Sequence, residues 1–180
     1  MCWMNTSQRF GLLTKALHWS IFVLFCAQFF FIYERRQLPE KSPEGLWYLL
    51  THKATGMVLL CLAILMIVWR QLGQRPPYPF HMRPWEKMLA RFTHYGLYAV
   101  MILMPISGYL TSAFSGYTVS LYGFWSIPLL VPTSKAYADI AWDFHQIFAL
   151  AILGFVFLHV VGALKHAWID KDNVLKRMLW

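Results

Sequence analysis

The sequence predicts an all-α integral membrane protein built as a bundle of four transmembrane helices. Three observations predict it. Of 180 residues, 58% are hydrophobic and 13% charged, with a mean hydropathy of +0.46, too apolar for an ordinary soluble domain of this length. The apolar residues fall into four runs, each near the roughly 20 residues that a hydrocarbon core demands of a helix. The basic residues gather at the ends of those runs, where topology requires them. A net charge of +8 is thereby accounted for, and no nucleic-acid partner is expected.

The first span is expected over about 17–33, interrupted only by His18, Ser20 and Gln28. No clear small-residue cleavage site follows it, so it reads as a retained helix. A polar loop with Pro39 and Pro43 leads to the second span, about 46–69. A proline-rich stretch (Pro76, Pro77, Pro79, Pro84) precedes the third, about 88–113, in which Pro105 predicts a kink. The connection 114–138 carries Gly116, Gly123, Pro128 and Pro132 yet is too apolar for a free loop, and is expected to lie on the membrane surface over the helix ends. The fourth span is about 139–168. Residues 1–180 form one domain, without repeats. Cys2, Cys26 and Cys61 show no metal or covalent-haem spacing; Cys26 and Cys61 are expected to pack as small apolar groups.

Orientation follows from Lys and Arg. Arg9, Lys15, Arg70, Arg75, Arg83, Lys87, Arg91, Lys165, Lys171, Lys176 and Arg177 fall on one side; Arg35, Arg36, Lys41, Lys53 and Lys135 fall on the other. The richer side faces the cytoplasm. Both termini are therefore expected there.

Histidine inside a span is expensive and marks function by default. His145 and His159 share the fourth run, about 21 Å apart along a helix and within about 40° around it. His52 and His145 each lie about six residues from the outer ends of their spans, so they match in depth. His159, His18 and His94 form an inner group. The outer pair has no thiolate or carboxylate at its depth, which is poor for tetrahedral zinc or copper. Bis-imidazole ligation suits low-spin b-type haem, an electron carrier. Two haems b, one at each depth between the helices, are expected. Gly56, Ala149 and Gly162, each within about one turn of a histidine, leave room for a flat macrocycle, and Phe148, Ile152 and Phe155 are expected to fill the gap between the two depths. His81, in the proline-rich loop, reads as a solvated surface histidine.

His18-Trp19, Thr51-His52-Lys53-Ala54-Thr55-Gly56, Thr93-His94-Tyr95-Gly96, Met104-Pro105-Ile106-Ser107-Gly108, Phe144-His145-Gln146 and Leu158-His159 through Lys171-Asp172-Asn173 together resemble the bacterial cytochrome b561 family. The resemblance covers nearly the whole chain. It implies a multi-pass inner-membrane di-haem cytochrome linked to ubiquinone, with some members similar to superoxide oxidase. It implies His52 and His145 as axial ligands of the outer haem, and His18 and His159 of the inner one. His94 is then an alternative inner ligand or a haem neighbour. Gln146 stands where some members carry an acidic residue.

The expected function is electron transfer between a periplasmic-side donor or acceptor and membrane ubiquinone, in the manner of a superoxide:ubiquinone oxidoreductase. Membrane lipid, quinone and a small periplasmic redox partner are the expected partners. His166 is a candidate proton relay to quinone, and Lys53 a candidate for attracting a small anion. Arg9, Lys15, Arg70 and Arg91 are candidates for pairing haem propionates or anchoring lipid. Two other readings stand beside this one: a cytochrome b subunit of a periplasmic redox enzyme, and a haem-free metal-ion transporter or membrane anchor.

Overall fold

The computed structural model describes residues 3–74 and 76–179; Cys2 and Arg75 of the sequence reading lie outside them. Four long helices follow one another: α1 (Leu12–Gln37), α2 (Pro43–Leu72), α3 (Pro84–Phe114) and α4 (Lys135–Trp168). Each is long and apolar enough to cross a membrane. All run past the expected spans, except at the carboxyl end of α4. Local chemistry gives the reason. Pro43 and Pro84 start helices instead of breaking them, since the first helical position needs no N–H donor. Ser42 Oγ accepts the Gly45 N–H at 3.0 Å, and Glu86 Oε2 accepts the Arg83 N–H at 2.8 Å. Such caps contribute about 1 kcal/mol each. α3 continues as one helix through Pro105.

The packing suits lipid. The buried positions are mostly small or hydroxylic: Ala54, Ala63, Ala113, Ala138, Ala141, Thr55, Thr93, Ser107 and Ser112. Large apolar side chains such as Val23, Leu150 and Phe157 point outward. With no hydrophobic gain between helices in hydrocarbon, close backbone approach and hydrogen bonds hold the bundle. Cys26 and Cys61, expected to pack as small apolar groups, are free and exposed on this outer surface. α1 packs chiefly against α2, and α3 against α4, with α2 and α3 adjoining less closely.

The connection after α3 holds a hairpin that the sequence reading did not foresee. β1 (Val119–Leu121) and β2 (Trp125–Ile127) pair antiparallel, with Leu121 opposite Trp125. The turn places Tyr122 at φ 51° and Gly123 at φ 83°, the two positive values that a primed hairpin turn requires. Val119 is buried, and β1 packs over α2 and α3. The short helix α5 (Lys176–Leu179) ends the described chain.

At the opposite end, three segments tie together. Trp19 Nε1 donates to the Met178 carbonyl at 3.2 Å, and Arg177 Nη1 to the Pro77 carbonyl at 2.7 Å. Asn5 Oδ1 accepts from the Gly11 N–H and the Thr14 hydroxyl, and Trp69 Nε1 donates to Thr14 Oγ1. The amino-terminal segment, the α2–α3 loop and the tail thus share one face, as the charge pattern requires.

Candidate functional site

Helix periodicity brings four of the histidines into two pairs. His52 on α2 and His145 on α4 have ring centres 6.4 Å apart with planes at 89°. His18 on α1 and His159, also on α4, are 6.1 Å apart. His94 on α3 lies 5.3 Å from His159, so three imidazoles meet at the inner depth. An ion held at about 2.0 Å by each of two imidazole nitrogens sets the ring centres roughly 5–6 Å apart, according to the angle at the ion. All three separations are of that size.

The outer rings are held by backbone. His52 Nδ1 donates to the Gln28 carbonyl at 3.3 Å, and Gln28 Nε2 donates back to the His52 carbonyl at 3.1 Å. His145 Nδ1 donates to the Met104 carbonyl at 2.9 Å. With Nδ1 protonated on each ring, Nε2 carries the lone pair that a metal needs. Trp142 stacks on His145 at 6.1 Å. Gly108 closes the other side: a Cβ there would lie 2.9 Å from His145 Cε1. Gly108 is a functional position that the sequence reading quoted in a motif without assigning it a task.

Between these rings lies a cavity of about 620 Å³, walled by Phe29, Ile32, Leu49, Met57 and Leu153, with Gly56 and Ala149 among its lining. Its size and apolar walls suit a flat cofactor. Lys53, Arg36, Gln28 and Gln146 supply its polar lining. Arg36 was missed as a site residue because the first span was ended at Tyr33, one turn short of it. Lys53 Nζ also sits 5.8 Å from the Tyr117 ring centre. Lys135 instead pairs with Asp139 at 3.0 Å on the exposed start of α4. Tyr122 of the hairpin turn shares a 2.7 Å hydrogen bond with Thr55, so the hairpin is fastened over this end.

At the inner depth, His94 Nδ1 donates to the Ala90 carbonyl at 2.6 Å. His18 Nδ1 is buried with no hydrogen-bond partner. A buried polar nitrogen left so costs about 1–3 kcal/mol, which fits an imidazole kept for a group bound between the helices. Phe155 packs on the backbone of Gly96 and against Phe92, and Ile152 is buried; Phe148 stacks on the exposed Phe144. Gly162 has nothing near an added Cβ, unlike Gly56. Arg70 lies over the Tyr95 and Tyr98 rings.

Of the two rim histidines, His81 differs from expectation. His166 is buried, with Nδ1 2.7 Å from Asp172 Oδ2 and 3.2 Å from Asp170 Oδ2. His81 is exposed, but its Nε2 lies 3.3 Å from Asp172 Oδ2, so it is a partnered residue and not merely a solvated one. Burial alone would raise the Asp172 carboxyl; the Val174 N–H and the His166 and His81 rings outweigh it and hold Asp172 below the ordinary aspartate range.

Comparison with known proteins identifies the family. The family model described as "Prokaryotic cytochrome b561" matches residues 9–180. The chain is 31% identical to "Cytochrome b561 homolog 2" of Escherichia coli (strain K12) over 186 residues, covering 99% of this chain and 95% of that protein. It is 29% identical to "Cytochrome b561 homolog 1" of the same organism over 172 residues, 95% and 97% of the two chains. To "Probable superoxide oxidase CybB" of Yersinia pestis it is 25% identical over 176 residues, 96% of each. Four membrane-crossing helices and bacterial relatives matched along their whole length make this a multi-pass protein of the bacterial inner membrane. The chain belongs to the prokaryotic cytochrome b561 family, and so is a membrane b-type cytochrome of electron transfer.

Proposed function

We propose that this cytochrome binds two haems b and moves single electrons between a periplasmic-side partner and ubiquinone, with superoxide as the outer donor. His52 and His145 would hold the iron of the outer haem and His18 and His159 that of the inner one, with His94 beside His159. Residues 1–180 form one domain with both termini in the cytoplasm. The observation that carries the reading is the pairing itself: two histidine pairs at two depths of one bundle, with ring centres 6.4 and 6.1 Å apart.

Held by these imidazoles, haem would supply reversible one-electron chemistry. The chain does the rest. The Gln28 and Met104 carbonyls fix the tautomer and orientation of the outer imidazoles. The apolar walls of the outer cavity exclude water and keep the dielectric low. Lys53 and Arg36 at that cavity raise the local concentration of a small anion. Two superoxide anions lose one electron each and leave as dioxygen; ubiquinone takes both electrons together with two protons from the cytoplasmic side. His166, in contact with Asp172, is the proposed donor of protons there. The name of the Yersinia pestis relative supports superoxide as the donor.

The test is a reduced-minus-oxidised spectrum of the purified protein with pyridine-haemochrome stoichiometry. Two haems b per chain are expected. His52→Ala or His145→Ala should remove one, and His18→Ala or His159→Ala the other, while His94→Ala keeps both. A second arm mixes superoxide with the oxidised protein by stopped flow. Haem reduction no faster than in His52→Ala would overturn superoxide as the donor and leave the electron-transfer reading standing.

A further inference from the structure

The inner face holds a second set of ligating side chains, outside both histidine pairs. The chain has only 8 Asp and Glu against 16 Lys and Arg, yet three of them gather here: Glu86 and Asp170 on Lys165, and Asp172 beside Asp170. Lys165 Nζ lies 2.6 Å from Asp170 Oδ2 and 3.0 Å from Glu86 Oε1. The three carboxylates outnumber the single lysine among them, at an end otherwise rich in cations. His81 from the α2–α3 loop and His166 from the end of α4 both face Asp172.

We propose that His81, Asp170 and Asp172 bind one divalent transition-metal ion of the zinc class. One ligand atom of each of the three lies within 4.8 Å of the others. Tetrahedral zinc with bonds of about 2.0–2.2 Å keeps its ligand atoms roughly 3.3–3.6 Å apart. The His81–Asp172 distance of 3.3 Å already meets this. Asp170 has to move closer to the other two for the remaining separations, which lie within 4.8 Å, to shorten to that range; the His81 side chain is 54% exposed on a loop and free to follow. An imidazole with two carboxylates is a borderline donor set; magnesium and calcium favour all-oxygen sites. Three protein ligands leave the fourth position to water.

The surroundings are those of a built site. Asp172 Oδ1 accepts the Val174 N–H at 2.9 Å, which fixes the carboxylate plane. The buried His166 reaches the same Asp172 Oδ2 that faces His81, at 2.7 Å, and Asp170 Oδ2 at 3.2 Å, so it holds the two carboxylates beside each other. Lys165 competes for Asp170, but Glu86 offers its ammonium another seat. A bound ion joins the tail to the α2–α3 loop, two segments that otherwise meet through single hydrogen bonds such as Arg177 to Pro77.

The experiment uses the haem-loaded protein in detergent, treated with a chelator that is then removed, and titrated with Zn²⁺ by calorimetry. One ion per chain is expected, with His81→Ala and Asp172→Asn each weakening binding at least about tenfold. Lys165→Met should tighten it, because a competing cation is gone. The haem spectrum reports that each variant is folded, and His81 is exposed enough to be replaced without harm. Equal binding by wild type and His81→Ala, or equally tight binding of Mg²⁺, would overturn the proposal.

Discussion

His145 is gripped from three directions: the Met104 carbonyl at 2.9 Å, the stacked Trp142 ring, and the bare backbone of Gly108. That grip makes Gly108→Ala a sharp test. Its methyl would stand 2.9 Å from the ring edge, closer than side chains tolerate, and His145 has no slack toward Met104. The expected result is haem content falling from two toward one per chain, with the inner haem's signal unchanged. Full retention of both haems would mean that the glycine is not part of the cradle. Single residues were legible where their chemistry stood out against the span: a histidine in hydrocarbon is costly wherever the helix turns, so His18, His52, His94, His145 and His159 announced themselves. Gly108 did not, since its importance depends on the register between α3 and α4. His81 did not either; its partner Asp172 is far along the chain, and only the folded inner face brings them together.

At the scale of elements, the helices were readable from apolar length, and their ends were not. Pro43, Pro84 and the Ser42 cap act within a single turn, on N–H groups that hydropathy ignores. The hairpin of β1 and β2 was hidden for another reason: its strands are three residues each, too short for a period of two to show. It is fastened by Tyr122 to Thr55, one helical turn from His52. Tyr122→Phe should remove that bond at a cost of about 1 kcal/mol and loosen the hairpin. Faster amide exchange across 119–127 and quicker reduction of the outer haem by a small hydrophilic reductant are the expected readouts. Unchanged exchange would show that Val119 packing alone secures it.

For the whole molecule, the charge asymmetry of the loops and the gathering of three segments at one end agree, though only folding revealed that the tail docks there. That docking is expected to depend on pH. Asp172 is held below its ordinary value of about 3.9, so its contribution is present above that value and lost as pH falls through the lowered one. Limited proteolysis should therefore leave the tail intact at pH 7 and cut it increasingly at the acid end, with Asp172→Asn already cut at pH 7. Equal protection of the variant at pH 7 would remove Asp172 from the docking. Membership of a haem-binding family also disposes of the haem-free transporter or anchor as an alternative.

The pairwise packing of α1 with α2 and α3 with α4 has a consequence for assembly. One hairpin of helices carries His18 and His52, and the other carries His145 and His159. His94 and His159 lie together on the second half, whereas the His52–His145 pair and the proposed His18–His159 pair each straddle the seam. In the proposed ligand arrangement haem would be a rivet between halves, and the two hairpins, expressed as separate polypeptides, are expected to associate more tightly when it is supplied.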